Sequence, residues 1–305
     1  MVKTQRLISR STGHGFALIA VLWIVAALTV LVVSLLTISH GEMAETQLRL
    51  DSGRAEALGD AAIQLAVLDW MSAEPLPDRL LRTHYTFDGV DIEVETVPAS
   101  GYVDLNNAPE NLLQTLFTHG VGLPPADALQ LAQRIIDWRD NDEDPLPHGA
   151  EATSYAAAGL GWRPRNGHFL VPEDLLQVLG VDFDLFARIQ PFVTVWSSGG
   201  AGVNPMAAPA PMLVVLCQGN ESEARRIAMA RDAGESGIDT SRLEPTFLRA
   251  GSVGNVLHVL ASIPVDGDRR AVRGRWVLLR SDPDGTPWQT IRAEPVRFAL
   301  ATGVP

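Results

Sequence analysis

The chain has 305 residues, enough for one large or two modest domains. Its net charge of −12 argues against a broad phosphate-binding surface and leaves an acidic domain able to attract a hard cation. A single cysteine, Cys217 in the apolar run MLVVLCQ, excludes an intramolecular disulfide and reads as a buried, inert thiol.

Residues 1–15, MVKTQRLISRSTGHG, carry Lys3, Arg6 and Arg10 and no acid. Residues 16–38, FALIAVLWIVAALTVLVVSLLTI, carry no charge. At about 1.5 Å per residue they form a helix of about 35 Å, sufficient for a bilayer core of about 30 Å. The first ionised residue beyond them is Glu42. This bias keeps the N-terminus in the cytoplasm and sends the body outward. The apolar core exceeds the roughly 7–15 residues of a secretory signal, and composition alone does not separate an uncleaved anchor from a processed one.

The junction Gly15-Phe16 resembles the prepilin-type leader of type IV pilins and type II secretion pseudopilins. That resemblance implies cleavage after Gly15 by a prepilin peptidase and methylation of Phe16. It also implies partner-helix packing through the small residues Ala17, Ala20, Ala26 and Ala27. Where most pilins have a glutamate at mature position five, this chain has Ala20, as is typical of K-type minor pseudopilins.

Residues 42–71 continue as an amphipathic helix, with Ala44, Leu48, Ala55, Leu58, Ala62 and Leu65 as the expected apolar stripe, ended by Pro75 and Pro77. TFDGVDIEVETV (86–97) alternates as a strand. Residues 101–196 read as mostly helical, and 197–211 as a Gly/Pro/Ala-rich joint. Helical signals return near 206–217 and 221–233, and strands at 256–263, 273–280 and 290–298, with a turn signal in DPDG (282–285). GYVDLNNAPENLLQTL (101–116) is echoed by AGVNPMAAPAPMLVVL (201–216). In the first copy Asn107 is expected to cap a helix; the second has lost the matching polar residues and reads as structural only.

Strands, a helical block, then strands predict an α+β fold: a long N-terminal hydrophobic helix and a small antiparallel sheet with a large, mainly α-helical insertion. The expected divisions are a leader over 1–15, the helix over 16–75 and strands over 76–103. The inserted domain with its acidic loop then takes 104–250, and the C-terminal strands 251–305.

Within RIIDWRDNDEDPLPHGAEATSY (134–155), Asp140, Asp142, Asp144 and Glu151 follow the 1, 3, 5 and 12 spacing of a calcium loop. Pro145 occupies the sixth position, where an EF-hand requires glycine, so the loop has another geometry. The residues alone leave a cation loop and a solvated acidic turn on equal terms. Trp138 and Tyr155 are expected to pack in the core around it, and His148 at most orients a water.

IIDWRDNDEDPLPHGAEATSY resembles the signature of the K-type minor pseudopilins of type II secretion, and LNNAP (105–109), GVNPMAAP (202–209) and Gly15-Phe16 match the same family in the same order. The resemblance implies bound Ca²⁺, with Asp140, Asp142, Asp144 and Glu151 as ligands and Asp137 as a lesser candidate. It implies assembly with I- and J-type minor pseudopilins at the tip of a periplasmic pseudopilus held in the bacterial inner membrane, and neither catalysis nor nucleic acid as a partner. No nucleophile, zinc or phosphate-loop motif occurs among the residues. The rival is a membrane-anchored helix-hairpin-helix DNA-uptake protein, which VDLNNAPENLLQTL followed by AQRIIDWRD also resembles; its connector FTHGVGLPPAD lacks lysine and arginine.

Overall fold

A computed structural model describes residues 14–74, 76–197, 199–249, 254–279 and 285–300, without the side chains of 14–18 and 32–48. The chain divides into two compact units, 1–54 and 55–305. The first is the N-terminal part of a helix, α1 (His14–Ser72). Its described side chains Ile19, Leu22, Trp23, Ile24, Leu28 and Leu31 are all exposed. Among the described residues no helix is long and apolar enough to cross a membrane. Residues 1–13 of the expected leader lie outside the described residues, as do the side chains of the Gly15-Phe16 junction and of the flanks of the expected span at 16–18 and 32–38.

In the second unit the end of α1 lies on a six-stranded antiparallel sheet of order β1-β2-β5-β6-β7, with β8 also paired to β6. The strands are β1 (Leu81–Phe87), β2 (Val90–Pro98), β5 (Val256–Pro264), β6 (Arg269–Leu279), β7 (Trp288–Ala293) and β8 (Arg297–Leu300), while β3 (Val103–Asp104) and β4 (Val193–Thr194) pair with each other in parallel, apart from this sheet. Ala55, Ala62, Ile63, Ala66, Val67 and Trp70 of α1 are buried against Ile92, Val94, Leu257, Val259 and Ala261. A helix turning about 100° per residue aligns these positions. Leu65 falls off this face and is exposed, correcting the expected stripe. Gly59 permits close approach, since a Cβ there would meet the Arg273 Cβ at 2.7 Å. Beside it, Asp60 accepts from Arg273 Nε at 2.8 Å and Arg275 Nε at 2.9 Å.

The single strand expected over 86–97 is in fact a hairpin. Asp88 (φ 48°) and Gly89 (φ 76°) both take the left-handed conformation that a two-residue hairpin turn demands, and Leu81 pairs with Thr96. The strand expected over 290–298 is likewise two, β7 and β8, broken at Glu294-Pro295 because proline has no amide to donate. The DPDG turn falls on residues mostly outside the described ones.

The helices α2 (Glu110–Thr115), α3 (Pro125–Arg139), α4 (Ala152–Ala157), α5 (Phe183–Ile189), α6 (Ala210–Leu216) and α7 (Glu221–Asp232) lie between β2 and β5 and share one core. This block covers the other sheet face: Tyr102 Oη and His258 Nδ1 are 2.8 Å apart, the His258 ring stacks on Trp276 at 4.3 Å, and Arg292 of β7 pairs with Glu173.

The sequence echo is a structural repeat. In each copy a short extended segment precedes an Asx turn: Asp104 accepts from the Asn106 amide and Asn204 from the Met206 amide. Pro109 and Pro209 then stand at the N-caps of α2 and α6. An arginine at the end of each hairpin's second helix donates to an equivalent carbonyl, Arg139 to Ala108 and Arg231 to Ala208. Each copy closes by a 3-10 turn, Gln190–Phe192 or Pro245–Phe247, and a parallel bridge, Val103 to Val193 or Val203 to Leu248. Two expectations are thereby corrected. Asn107 donates to Asp104 rather than capping α2, and Asn204 keeps in the second copy the turn-forming role of Asp104.

Candidate metal centre

The acidic loop joins α3 to α4 within the first repeat. Ala128, Leu131, Ala132, Ile135 and Trp138 anchor α3 in the core, and Tyr155 anchors α4, with the Trp138 and Tyr155 rings 6.3 Å apart. Both aromatics are fully buried. The Tyr155 hydroxyl accepts from the Leu179 amide at 3.0 Å. Asn166 ties the loop from outside, its Nδ2 donating to the Asp142 carbonyl at 2.9 Å. The spacing pattern did not single out Asn166, which lies in a separate loop.

Asp140, Asp142 and Glu151 converge: one carboxylate oxygen of each lies within 4.8 Å of the others. Glu151 is only 2% exposed, yet neither of its oxygens has a hydrogen-bond partner, nor has Asp140 Oδ1. Burial, then the charges of Asp137, Asp140, Glu143 and Asp142, push Glu151 up from 4.5 to about 7. Burial, then Asp142 and Asp137, raises Asp140 to about 6, with Arg139 opposing. A buried anion without donors is costly unless a cation joins it. Hard oxygen donors gathered on one point suit Ca²⁺, and these three fit it.

Two expected ligands lie elsewhere. The Asp144 side chain is exposed and outside the cluster, because its own amide donates to Asp142 Oδ1 at 3.0 Å and turns the chain there. Asp137 is fully buried and already satisfied: its Oδ2 accepts from the Ala150 amide at 2.7 Å and from the Leu146 amide at 3.2 Å. His148 is exposed, its amide on Gln133 Oε1. Of the helix positions, Ala20 is half-buried and Ala26 and Ala27 are exposed, while the side chains of Phe16 and Ala17 are outside the described residues.

The hairpin turn before α3 is poorly built for phosphate. Pro124 and Pro125 occupy the N-cap and first position, where a DNA-binding hairpin needs amide donors, and Asp127 follows in the first turn. The Val121 carbonyl is taken by Arg188.

The family model for type II secretion system protein K matches residues 95–198, which hold the converging carboxylates. A type II secretion system protein K from Klebsiella pneumoniae is 27% identical over 246 residues, 72% of this chain and 76% of that protein. The one from Dickeya chrysanthemi is 32% identical over 116 residues, 36% of this chain and 32% of the relative.

Residues 95–198 are thus a type II secretion system protein K domain, and similarity to protein K relatives extends over 72% of the chain. Members of that family are minor pseudopilins, structural parts of the secretion apparatus. The protein K fold extends beyond the region of the family match. The crystal structure of the GspK-GspI-GspJ complex from enterotoxigenic Escherichia coli contains a chain that superposes with a TM-score of 0.51 at 16% identity, covering 84% of this chain and 98% of that one. At that identity the likeness concerns the fold.

Proposed function

We propose that this chain is a tip subunit of the type II secretion pseudopilus, assembling with I- and J-type minor pseudopilins to initiate or cap the fibre. Its work is assembly, not catalysis. The observation that carries the reading is the helical block set between β2 and β5, a fold shared over 84% of the chain with a member of a K-I-J complex. Such a block crowds the top of a stack, which suits a subunit with none above it. Ala20 fits the same place, since a mature position without a carboxylate has no charge to offer a neighbour's N-terminal amine. Anchoring follows from the uncharged run at 16–38. The basic leader would stay cytoplasmic, cleavage would follow Gly15, and the body would stand in the periplasm on an inner-membrane stem. Asp140, Asp142 and Glu151 would hold a structural Ca²⁺, which supplies the positive charge that the buried Glu151 oxygens lack.

Co-expression of the tagged full chain with the I- and J-type proteins of the same organism, followed by detergent extraction and affinity capture, tests the assembly. A ternary complex is expected. Capture of the tagged chain alone, with and without calcium, overturns the reading. Mass spectrometry of the captured chain should find methylated Phe16 at its start; an intact Met1 refutes the processing step.

A further inference from the structure

We infer that Asp137 is not a ligand of the metal loop but the latch that closes it, working with the absent side chain of Gly149; the inference rests on the calcium reading of the same site. Asp137 sits beside Trp138 on the buried side of α3, and its relative exposure is 0%. Its carboxylate points at the loop's far limb, where Oδ2 takes the Ala150 amide at 2.7 Å and both oxygens share the Leu146 amide at 3.2 and 3.3 Å. These bonds span the loop from its start to the residue before Glu151. They fix the backbone from which Glu151 reaches Asp140 and Asp142.

Gly149 completes the device. A Cβ there would stand 2.6 Å from the Asp137 Cγ and closer still to Oδ2, so any side chain expels the carboxylate from its two amides. Gly149 is without a positive φ, so space and not backbone freedom requires glycine here. The division of labour is visible in hydrogen bonding: Glu151 keeps two bare oxygens for an ion, while Asp137 spends its own on the chain. A carboxylate accepts from both amides, whereas an asparagine at 137 would turn an NH₂ toward one of them.

The test uses the full chain in detergent micelles, stripped of metal and titrated with terbium. Luminescence lifetimes in H₂O and D₂O count the waters on the ion. Asp137→Asn and Gly149→Ala should each weaken terbium binding about tenfold, about 1.4 kcal/mol, with the bound-water count unchanged. The double variant should be little worse than either single one. Peptide-resolved hydrogen exchange over 144–152 should accelerate in both variants, metal-free. Gly149→Ala serves if Asp137→Asn does not fold, since it removes no oxygen. A rise in bound water in Asp137→Asn, with Gly149→Ala binding normally, would make Asp137 a ligand and overturn the latch. Exchange over 144–152 that is unchanged in both variants overturns it too. If the unaltered chain binds no terbium, the metal reading fails, and the exchange data alone judge the latch.

Discussion

Replacing Glu151 with glutamine should have opposite effects with and without calcium. In the metal-free protein Glu151 is an anion 2% exposed with no donor on either oxygen, and its pKa is raised from 4.5 to about 7. At about 1.4 kcal/mol per pKa unit, holding it ionised above pH 7 costs the fold about 3 kcal/mol. The cost is absent below 4.5 and complete above about 7, so stability of the chelated protein falls across that window as pH rises. Glu151→Gln removes the charge but leaves an unpaired buried amide, which returns about 1–2 kcal/mol of the cost. The net expectation near pH 8 is a gain of about 1–2 kcal/mol in chelator, a rise in melting temperature of a few degrees. In saturating calcium the same variant lacks a ligand and should melt below the unaltered protein. Urea denaturation of both proteins in the two buffers measures this directly. Destabilisation of equal size in chelator and in calcium would refute the account of Glu151 as a strained anion awaiting a cation.

Three further outcomes are expected. Tyr155→Phe strands the Leu179 amide and should cost about 1–2 kcal/mol by urea denaturation. Glu294 is buried, which alone would raise its pKa, but the hydrogen bond and charge of His258, with Arg297 and Trp276, lower it to about 2. Its stabilisation of about 3 kcal/mol is therefore complete above 4.5 and lost as pH falls toward 2; urea midpoints against pH should show this loss and Glu294→Gln should lack it. Arg231→Met empties the clamp on the Ala208 carbonyl and should lower stability by about 2–3 kcal/mol in thermal melts, while calorimetry finds calcium affinity unchanged.

The parts of the fold that periodicity governs were legible from the residues. Periodicity puts Ala55 and Ala62 on the buried face of α1, where they lie, but a step of three more extends the stripe onto Leu65, which the helix turns to solvent. The hairpin at Asp88-Gly89 is marked by that dipeptide, a strong turn signal, and by the step of three from Phe87 to Val90 that reverses the alternation; alternating polarity alone makes the stretch pass for one strand. In the loop, spacing brought Asp140, Asp142 and Glu151 to notice, and these three converge. It could not exclude Asp144, which a local bond turns outward, nor Asp137, whose place beside Trp138 depends on the phase of α3 against the core. The part played by Asn204 was hidden because an Asx turn depends on backbone direction, which composition does not carry.

Residues 201–249 provide an internal control for the rest of the block. They close a hairpin with a proline start, an arginine clamp and a parallel bridge, and the stretch from α7 to the bridge holds none of the three converging carboxylates. The acidic segment is thus an elaboration of a unit able to shut without it. An engineer seeking a calcium-indifferent subunit has the blueprint within the same polypeptide: the shorter copy shows how the longer one could be trimmed and still hold its shape.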